Sequence, residues 1–183
     1  MKNRTRSSRI VRLLILLALL IGIPSAALAQ NVNQYWSTVA TTGEVDESNQ
    51  GVIDYNGPFA TIKPAAPNPT TVTLRYQVSP VDGLFFAGCK RLRVRYRDDG
   101  PGAQVRVFLR RTDILTGATI THLTFDSNLF AQAAGYQTQV GPCGNFVFDW
   151  TRYSYWIEAV MTKTLNVNTP GMPGLEVVQI IPD

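Results

Sequence analysis

Apolar and polar side chains alternate with period two along much of this chain, the pattern of strands that bury one face. In "TVTLRYQV", Val72, Leu74, Tyr76 and Val78 share one face while Thr73, Arg75 and Gln77 share the other. In the stretch Lys90 to Arg111, "KRLRVRYRDDGPGAQVRVFLRR", arginines at 91, 93, 95 and 97 alternate with Leu92, Val94 and Tyr96. After a Gly/Pro turn the alternation resumes as Val105, Arg106, Val107, Phe108, Leu109, Arg110. "TITHLTFD" sets Thr119, Thr121, Leu123 and Phe125 against Ile120, His122, Thr124 and Asp126. "NFVFDW", "YWIEAVMTK" and "LEVVQII" follow, with weaker candidates at 35–41 ("YWSTVAT") and 58–63 ("PFATIK").

Turn chemistry separates these runs: "VDG" at 81–83, "DDGPG" at 98–102, "TG" at 116–117, "GPCGN" at 141–145 and "NTPGMPG" at 168–174. Glycine supplies positive φ and proline fixes φ, so both belong in such connections. About eight or nine strands with short connections predict an all-β fold, an antiparallel β-sandwich of jelly-roll or Ig-like type. An eight-stranded outer-membrane barrel would share the alternation, but these strands fall short of the ~10 residues such a span uses and the chain ends in "IIPD" without an aromatic.

The first residues read differently. Lys2, Arg4, Arg6, Arg9 and Arg12 precede an apolar run from Leu13 to Ile23, then Pro24 and small residues. That is the form of a secretory signal helix, with Ala27 and Ala29 at the small positions of a cleavage site. Cleavage after Ala29 removes a signal peptide of residues 1–29 and leaves 30–183, or 154 residues, the size of a single sandwich domain. The run is too short for a permanent membrane span, so the expected location is secreted or periplasmic.

Removing the leader changes the charge. All five of its charged residues are basic, so of 17 Lys+Arg the remainder keeps 12 against 13 Asp+Glu, a net charge near −1. The overall basicity belongs to the leader, and nucleic acid drops out as an expected partner. Cys89 and Cys143 both lie in the exported part, where thiols oxidise, so a disulfide between them is expected. Closing such a loop is worth ~4 kcal/mol in the chain-entropy model.

The arginines between 91 and 111 pose the functional question. If the "DDGPGA" loop closes a symmetric hairpin, Arg97 pairs with Gln104, Arg95 faces Arg106 and Arg91 faces Arg110. With Leu109 opposite Thr119, His122 joins a row Arg95, Arg106, His122 across three strands. Like charges opposite one another in a sheet need compensation. Local carboxylates are one source, with Glu158, Asp98, Asp99, Asp126 and Asp149 available. A bound anion is the other, because a guanidinium fork matches carboxylate, sulfate or phosphate oxygens. Candidate ligand-binding residues on this face are Arg91, Arg93, Arg95, Arg106, Arg110 and His122, and the ligand class is an acidic polysaccharide or other polyanion.

Other chemistry is thinner. His122 is the one histidine in the sequence, no G-x-S-x-G elbow occurs, and an outward solvated strand position suits it. Bridged cysteines and one histidine serve zinc poorly, so no catalytic metal and no cofactor is expected. Structural calcium is conceivable at "EVDES" or "RDDGPG", neither of which follows the twelve-residue loop pattern. A carboxylate pair drawn from Asp98, Asp99, Asp149 and Glu158 would suffice for glycoside hydrolysis, though no spacing singles one out. Aromatics gather at "QYW" (34–36), "LFF" (84–86) and "WTRYSYW" (150–156), and Trp150 and Tyr153, flanking a turn, are the candidates for stacking on a sugar. Phe146, Phe148 and Ile157 read as core.

The runs "VTLRYQVSPVDGL", "RLRVRYRDDGPGAQVRVFLRR", "LTFDSN", "CGNFVFDW" and "YSYWIEAVMTK" resemble small exported bacterial all-β proteins of uncharacterised function, over most of the chain from about Gln34 to Ile181. The resemblance implies a secreted β domain and carries over no site. At the level of fold alone, the architecture is similar to carbohydrate-binding and lectin-like sandwiches. The expected function is therefore a non-catalytic exported binding module for a glycan or other anionic extracellular or envelope ligand. A structural or assembly protein of the cell surface and a carboxylate-based glycoside hydrolase stand as alternatives.

Overall fold

The computed structural model describes residues 35–80, 87–164 and 171–183. The leader with its cleavage point, the "VDG" turn, the "LFF" cluster and residues 168–170 of "NTPGMPG" lie outside the described residues. Twelve strands occur among those described: β1 (Trp36–Val39), β2 (Glu44–Val45), β3 (Ile53–Asn56), β4 (Phe59–Ile62), β5 (Thr70–Val78), β6 (Cys89–Asp98), β7 (Ala103–Asp113), β8 (Thr119–Asp126), β9 (Ala133–Val140), β10 (Gly144–Asn145), β11 (Tyr153–Lys163) and β12 (Gly174–Pro182).

They form two antiparallel sheets. One runs β10-β6-β12-β4-β3, with β1 also on β12 and β9 also on β6; the other runs β2-β5-β11-β7-β8. The β-sandwich is thus as the alternation predicts, and the strand count exceeds eight or nine mainly through short pieces and β9, whose "AAGYQTQV" has no apolar row to betray it. "NFVFDW" departs the other way. Only Asn145 of it is strand, because its aromatics stack on one another: Phe146 lies 5.0 Å from Phe148, and Phe148 lies 5.1 Å from Trp150.

In β6 and the first eight residues of β7 alternation holds residue by residue. Leu92, Val94 and Tyr96 of β6 are buried while Arg91, Arg93, Arg95 and Arg97 meet water at their tips. In β7, Val105, Val107 and Leu109 are buried, and Gln104, Arg106, Phe108 and Arg110 point outward. Burial of such rows at ~25 cal/mol per Å2 of apolar surface is the main favourable term in the fold. Between the sheets, Tyr96 meets Phe125 edge-on at 5.2 Å, and burial, with Asp98 nearby, pushes its phenol up to about 12.

The hairpin expected at "DDGPGA" does not form. β6 belongs to the seven-stranded sheet and β7 to the five-stranded one, so Arg97 does not pair with Gln104, nor Arg95 with Arg106, nor Arg91 with Arg110. The physical reason lies in two long apolar rows, one per strand: changing sheets turns both rows toward a shared interior, and Arg95 and Arg106 leave by opposite outer faces. At this corner Asp98, 1 % exposed, accepts a hydrogen bond of 2.5 Å from Ser127 Oγ, which in turn accepts one of 2.9 Å from the Val105 N–H. The register of β7 on β8 also differs: Leu109 faces Leu123 and Arg106 faces Asp126, with a bulge between Leu109 and Arg110 that leaves His122 as the extra residue.

Cys89 and Cys143 are bridged across 5.5 Å between their Cα atoms, beside the two-residue ladder that joins β10 to β6. Paired Cys89→Ser and Cys143→Ser substitutions should keep the far-UV β signature and lose ~4 kcal/mol, read from the denaturant midpoint. An unmoved midpoint would contradict the bridge's role. Burial also drives the Asp98 carboxyl above the usual carboxylate range, more than its hydrogen bond from Ser127 offsets. A raised native value means the native state holds this proton longer, so stability falls as pH rises from about the unperturbed carboxyl pKa, near 3.9, through the native value. Asp98→Asn should flatten that part of the stability profile, measured by urea melts across pH. An unchanged slope would refute the assignment.

Candidate functional site

Each β6 arginine has a nearby polar partner. Arg91 bonds Asp183 at 3.0 Å, Arg95 bonds Glu176, Arg97 bonds Asp99 with its Nε at 2.9 Å, and Arg93 reaches the Gln179 side-chain oxygen at 3.4 Å. β12, which carries Glu176 and Gln179, supplies two of these partners because it is the neighbour of β6. Local acids compensate Arg91, Arg95 and Arg97 here, and only Asp99 among these acids stood among those the sequence offered.

Arg106 and Arg110 emerge on the outer face of the other sheet. Arg110 holds Glu158 at 2.7 Å and sits 5.1 Å from the Phe108 ring centre and 5.6 Å from that of Trp156. The Arg106 guanidinium carbon stands 5.9 Å from the same Phe108 ring centre. Its cross-strand neighbour Asp126 takes two bonds from Gln104 instead, at 2.9 and 3.1 Å. Guanidinium groups over aromatic faces gain from the ring quadrupole and cover apolar surface.

His122 is not an outward, solvated residue. The bulge turns it onto Phe146, with ring centres 4.3 Å apart and planes at 17°, and its Nε2 is buried without a hydrogen-bond partner among the described residues. It therefore does not join Arg95 and Arg106 in a row. Trp150 packs inward as well, 4.7 Å from Tyr155. Tyr153 lies beneath two cations, 4.0 Å from the Arg111 guanidinium carbon and 5.3 Å from that of Arg152. Arg152 is itself bound to Asp113 at 2.8 Å.

The carboxylates offered for hydrolysis have structural tasks. Asp98 holds Ser127; Asp99 holds Arg97 and the Met172 N–H; Asp149 caps a turn by accepting from Thr151; Glu158 holds Arg110. Asp46 of "EVDES" caps the short helix Glu47–Asn49 through the Ser48 N–H at 3.0 Å. No group of three or more His, Cys, Asp or Glu arranged for a metal ion occurs among the described residues, and no helix there is long and apolar enough to cross a membrane.

A groove of about 410 Å3 opens on the outer face of the five-stranded sheet, lined by Thr38, Thr42, Glu44, Arg75, Gln77 and Trp156. Its floor is β5, where alternation sends Arg75 and Gln77 outward. One wall is the segment that leaves β1, turns at Ala40–Thr42 and reaches β2. This segment lies close on the Tyr76 ring, since a Cβ on Gly43 would stand 2.6 Å from Tyr76 Cζ, and the Tyr76 hydroxyl donates to the Ala40 carbonyl at 3.0 Å. The other wall is Trp156, placed by register between Gln77 on β5 and Arg110 on β7. Its indole N–H donates to Thr112 Oγ1 at 3.3 Å, and Arg110 backs it from the β7 side.

Charge in the groove is balanced: Arg75 lies opposite Glu44 of β2 in register, and the hydroxyls of Thr38 and Thr42 share a 2.6 Å hydrogen bond. The sequence pointed to the turn from Trp150 to Trp156 but singled out Trp150 and Tyr153 within it, and named none of the groove neighbours of Trp156 as site residues. The signal was present, for in "SYWIEAV" Trp156 shares the outward phase with Glu158, an expensive place for an indole unless something meets it.

No protein-family model and no curated protein matches the chain. Among solved structures it is similar to a family two carbohydrate esterase from Cellvibrio japonicus, at 14% identity and TM-score 0.39, covering 82% of this chain and 34% of that one. The chain thus spans about a third of the esterase's length. It is also similar to a structure titled "CBM4 structure and function", at 10% identity and TM-score 0.41, covering 85% and 90%. A third is the C-terminal family 22 carbohydrate binding module of Clostridium thermocellum Xyn10B, at 11% identity and TM-score 0.41, covering 84% and 90%. Likeness at this level carries no ligand and no activity to this chain.

Burial first, and then the Arg111 charge, hold the His122 imidazole below its ordinary value. NMR titration of its ring protons should show a midpoint under the ~6.5 of a free histidine. A midpoint at or above that value would place the ring in water.

Proposed function

We propose that this protein is an exported, non-catalytic β-sandwich module that binds a glycan in the groove between Trp156 and the β1–β2 crossing. The leader and the Cys89–Cys143 bridge support export. The observation that carries the binding reading is the indole of Trp156, fixed by Thr112 on its edge and Arg110 behind it, standing beside a strip of hydrogen-bonding side chains. An aromatic plane meets the C–H face of a sugar ring, while paired donors and acceptors such as Arg75, Gln77 and Glu44 suit vicinal hydroxyls.

The engagement of Asp98, Asp99, Asp149 and Glu158 in structural bonds weighs against the hydrolase reading. A polyanion held by the β6 arginines would have to displace Asp183, Glu176 and Asp99 from them. The groove asks no such exchange.

Affinity gel electrophoresis against neutral and acidic polysaccharides tests the proposal. Retardation by at least one glycan is expected, with Trp156→Ala weakening it about tenfold or more, equivalent to ~1.4 kcal/mol, at unchanged melting temperature. Arg95→Ala combined with Arg106→Ala should leave retardation intact. Loss of binding in the arginine variant with none in Trp156→Ala would move the site to the arginines, and absence of retardation by every glycan would reject the reading.

A further inference from the structure

At one sheet edge among the described residues, β9 pairs with β6 on one side and has no strand on the other. The Gly141 N–H donates to the Leu92 carbonyl at 2.8 Å, which fixes the phase of the antiparallel ladder: Gln139 and Gln137 turn their main-chain groups toward β6, and Val140, Thr138 and Tyr136 turn theirs away. No hydrogen bond to those outward groups occurs among the described residues. The register on β6 shifts between Gln137 and Ala133, so within this eight-residue strand the open row of donors and acceptors runs over Thr138 and Val140, with Tyr136 at the bulge.

The other edges are short, charged or flanked. β2 has two residues and covers only Leu74 and Arg75 of the nine-residue β5, which bears the Arg75 charge, and β3 and β1 have four each. β8 is flanked by the loop after β9, since a Cβ on Gly141 would lie 3.3 Å from the Thr124 carbonyl oxygen and one on Gly144 2.9 Å from that of His122. Edges of soluble sandwiches ordinarily carry lysines, inward charges or proline to repel a second strand. β9 carries none, and no Asp, Glu, Lys or Arg occurs from Ser127 to Phe148.

We propose that β9 is a docking edge for a second copy of this chain, joined β9 to β9 antiparallel about a two-fold axis. Centred on Thr138, this pairing sets Thr138 against Thr138 and Tyr136 against Val140, so no like charges meet and every outward main-chain group finds a complement. The row Arg93 and Arg95 on β6 is then three strand spacings, about 14 Å, from its counterpart, beyond the ~10 Å screening length at moderate salt. One strand pair forms an interface under ~1,200 Å2, which fits a weak, reversible dimer. The proposal is independent of the glycan groove, which opens on the other sheet.

Sedimentation velocity between ~10 μM and ~1 mM tests it. The wild-type protein should rise from monomer mass toward twice that mass, and amide exchange at Tyr136, Thr138 and Val140 should slow with concentration while Gln137 and Gln139 stay unchanged. Thr138→Lys should hold the monomer mass throughout. Thr138→Pro should do the same, with the fold kept because that N–H faces away from β6, as near-UV circular dichroism would report; Trp156→Ala should dimerise like wild type. A wild-type protein that stays monomeric, a Thr138→Lys variant that still associates, or a dimer without slowed exchange on β9 would each overturn the proposal.

Discussion

Two strands alternate strictly, β6 along its ten residues and β7 from Ala103 to Arg110, and the turn between them carries the chain from one sheet to the other. That pairing of period-two burial with a change of sheet is what the rest of the molecule depends on. It stacks the row Leu92, Val94, Tyr96 over the row Val105, Val107, Leu109, and it sends their arginines out through opposite faces. The corner is tied by a carboxyl that gives up water, since Asp98 meets Ser127, and Ser127 meets the Val105 amide. A buried polar chain of this kind is costly half-made, so its geometry is specified as tightly as the apolar packing around it.

Alternation made the class of fold and the buried faces of β5, β6 and most of β7 legible, and the pair of exported cysteines made the Cys89–Cys143 bridge so. Partnership between strands was not. Which ladder a strand joins is a long-range choice, and neither "RLRVRYR" nor "VRVFLRR" records that its neighbour in sequence is not its neighbour in the sheet. The assumed hairpin failed for that reason, and the row through Arg95, Arg106 and His122 failed with it. His122 was further displaced by a bulge, an insertion of one residue that alternation cannot register. β9 escaped notice because an edge strand with few buried side chains shows no apolar period.

The groove tells the same story from the other side. Outward phase was readable for Trp156, Gln77 and Arg75, yet β5 and β11 had to be neighbours before those phases became one surface. Three of the β6 arginines, conspicuous in the sequence, find acids at Asp183, Glu176 and Asp99 while Arg93 reaches the Gln179 amide oxygen, so a row of like charges reads in three dimensions as a set of local pairs of modest energy. Conspicuous charge and an open groove are different properties: the β6 arginines leave by one outer face, and the groove opens on the other.

The indole of Trp156 is tethered at its N–H by Thr112 and backed by a guanidinium, so its rotamer is chosen before any encounter. A side chain already frozen has little torsional freedom left to surrender, and association at that wall then costs less entropy than it would at a swinging aromatic. Rigid walls of this kind discriminate by shape: a flat ring face slides in unopposed, whereas a bulkier contour finds no give.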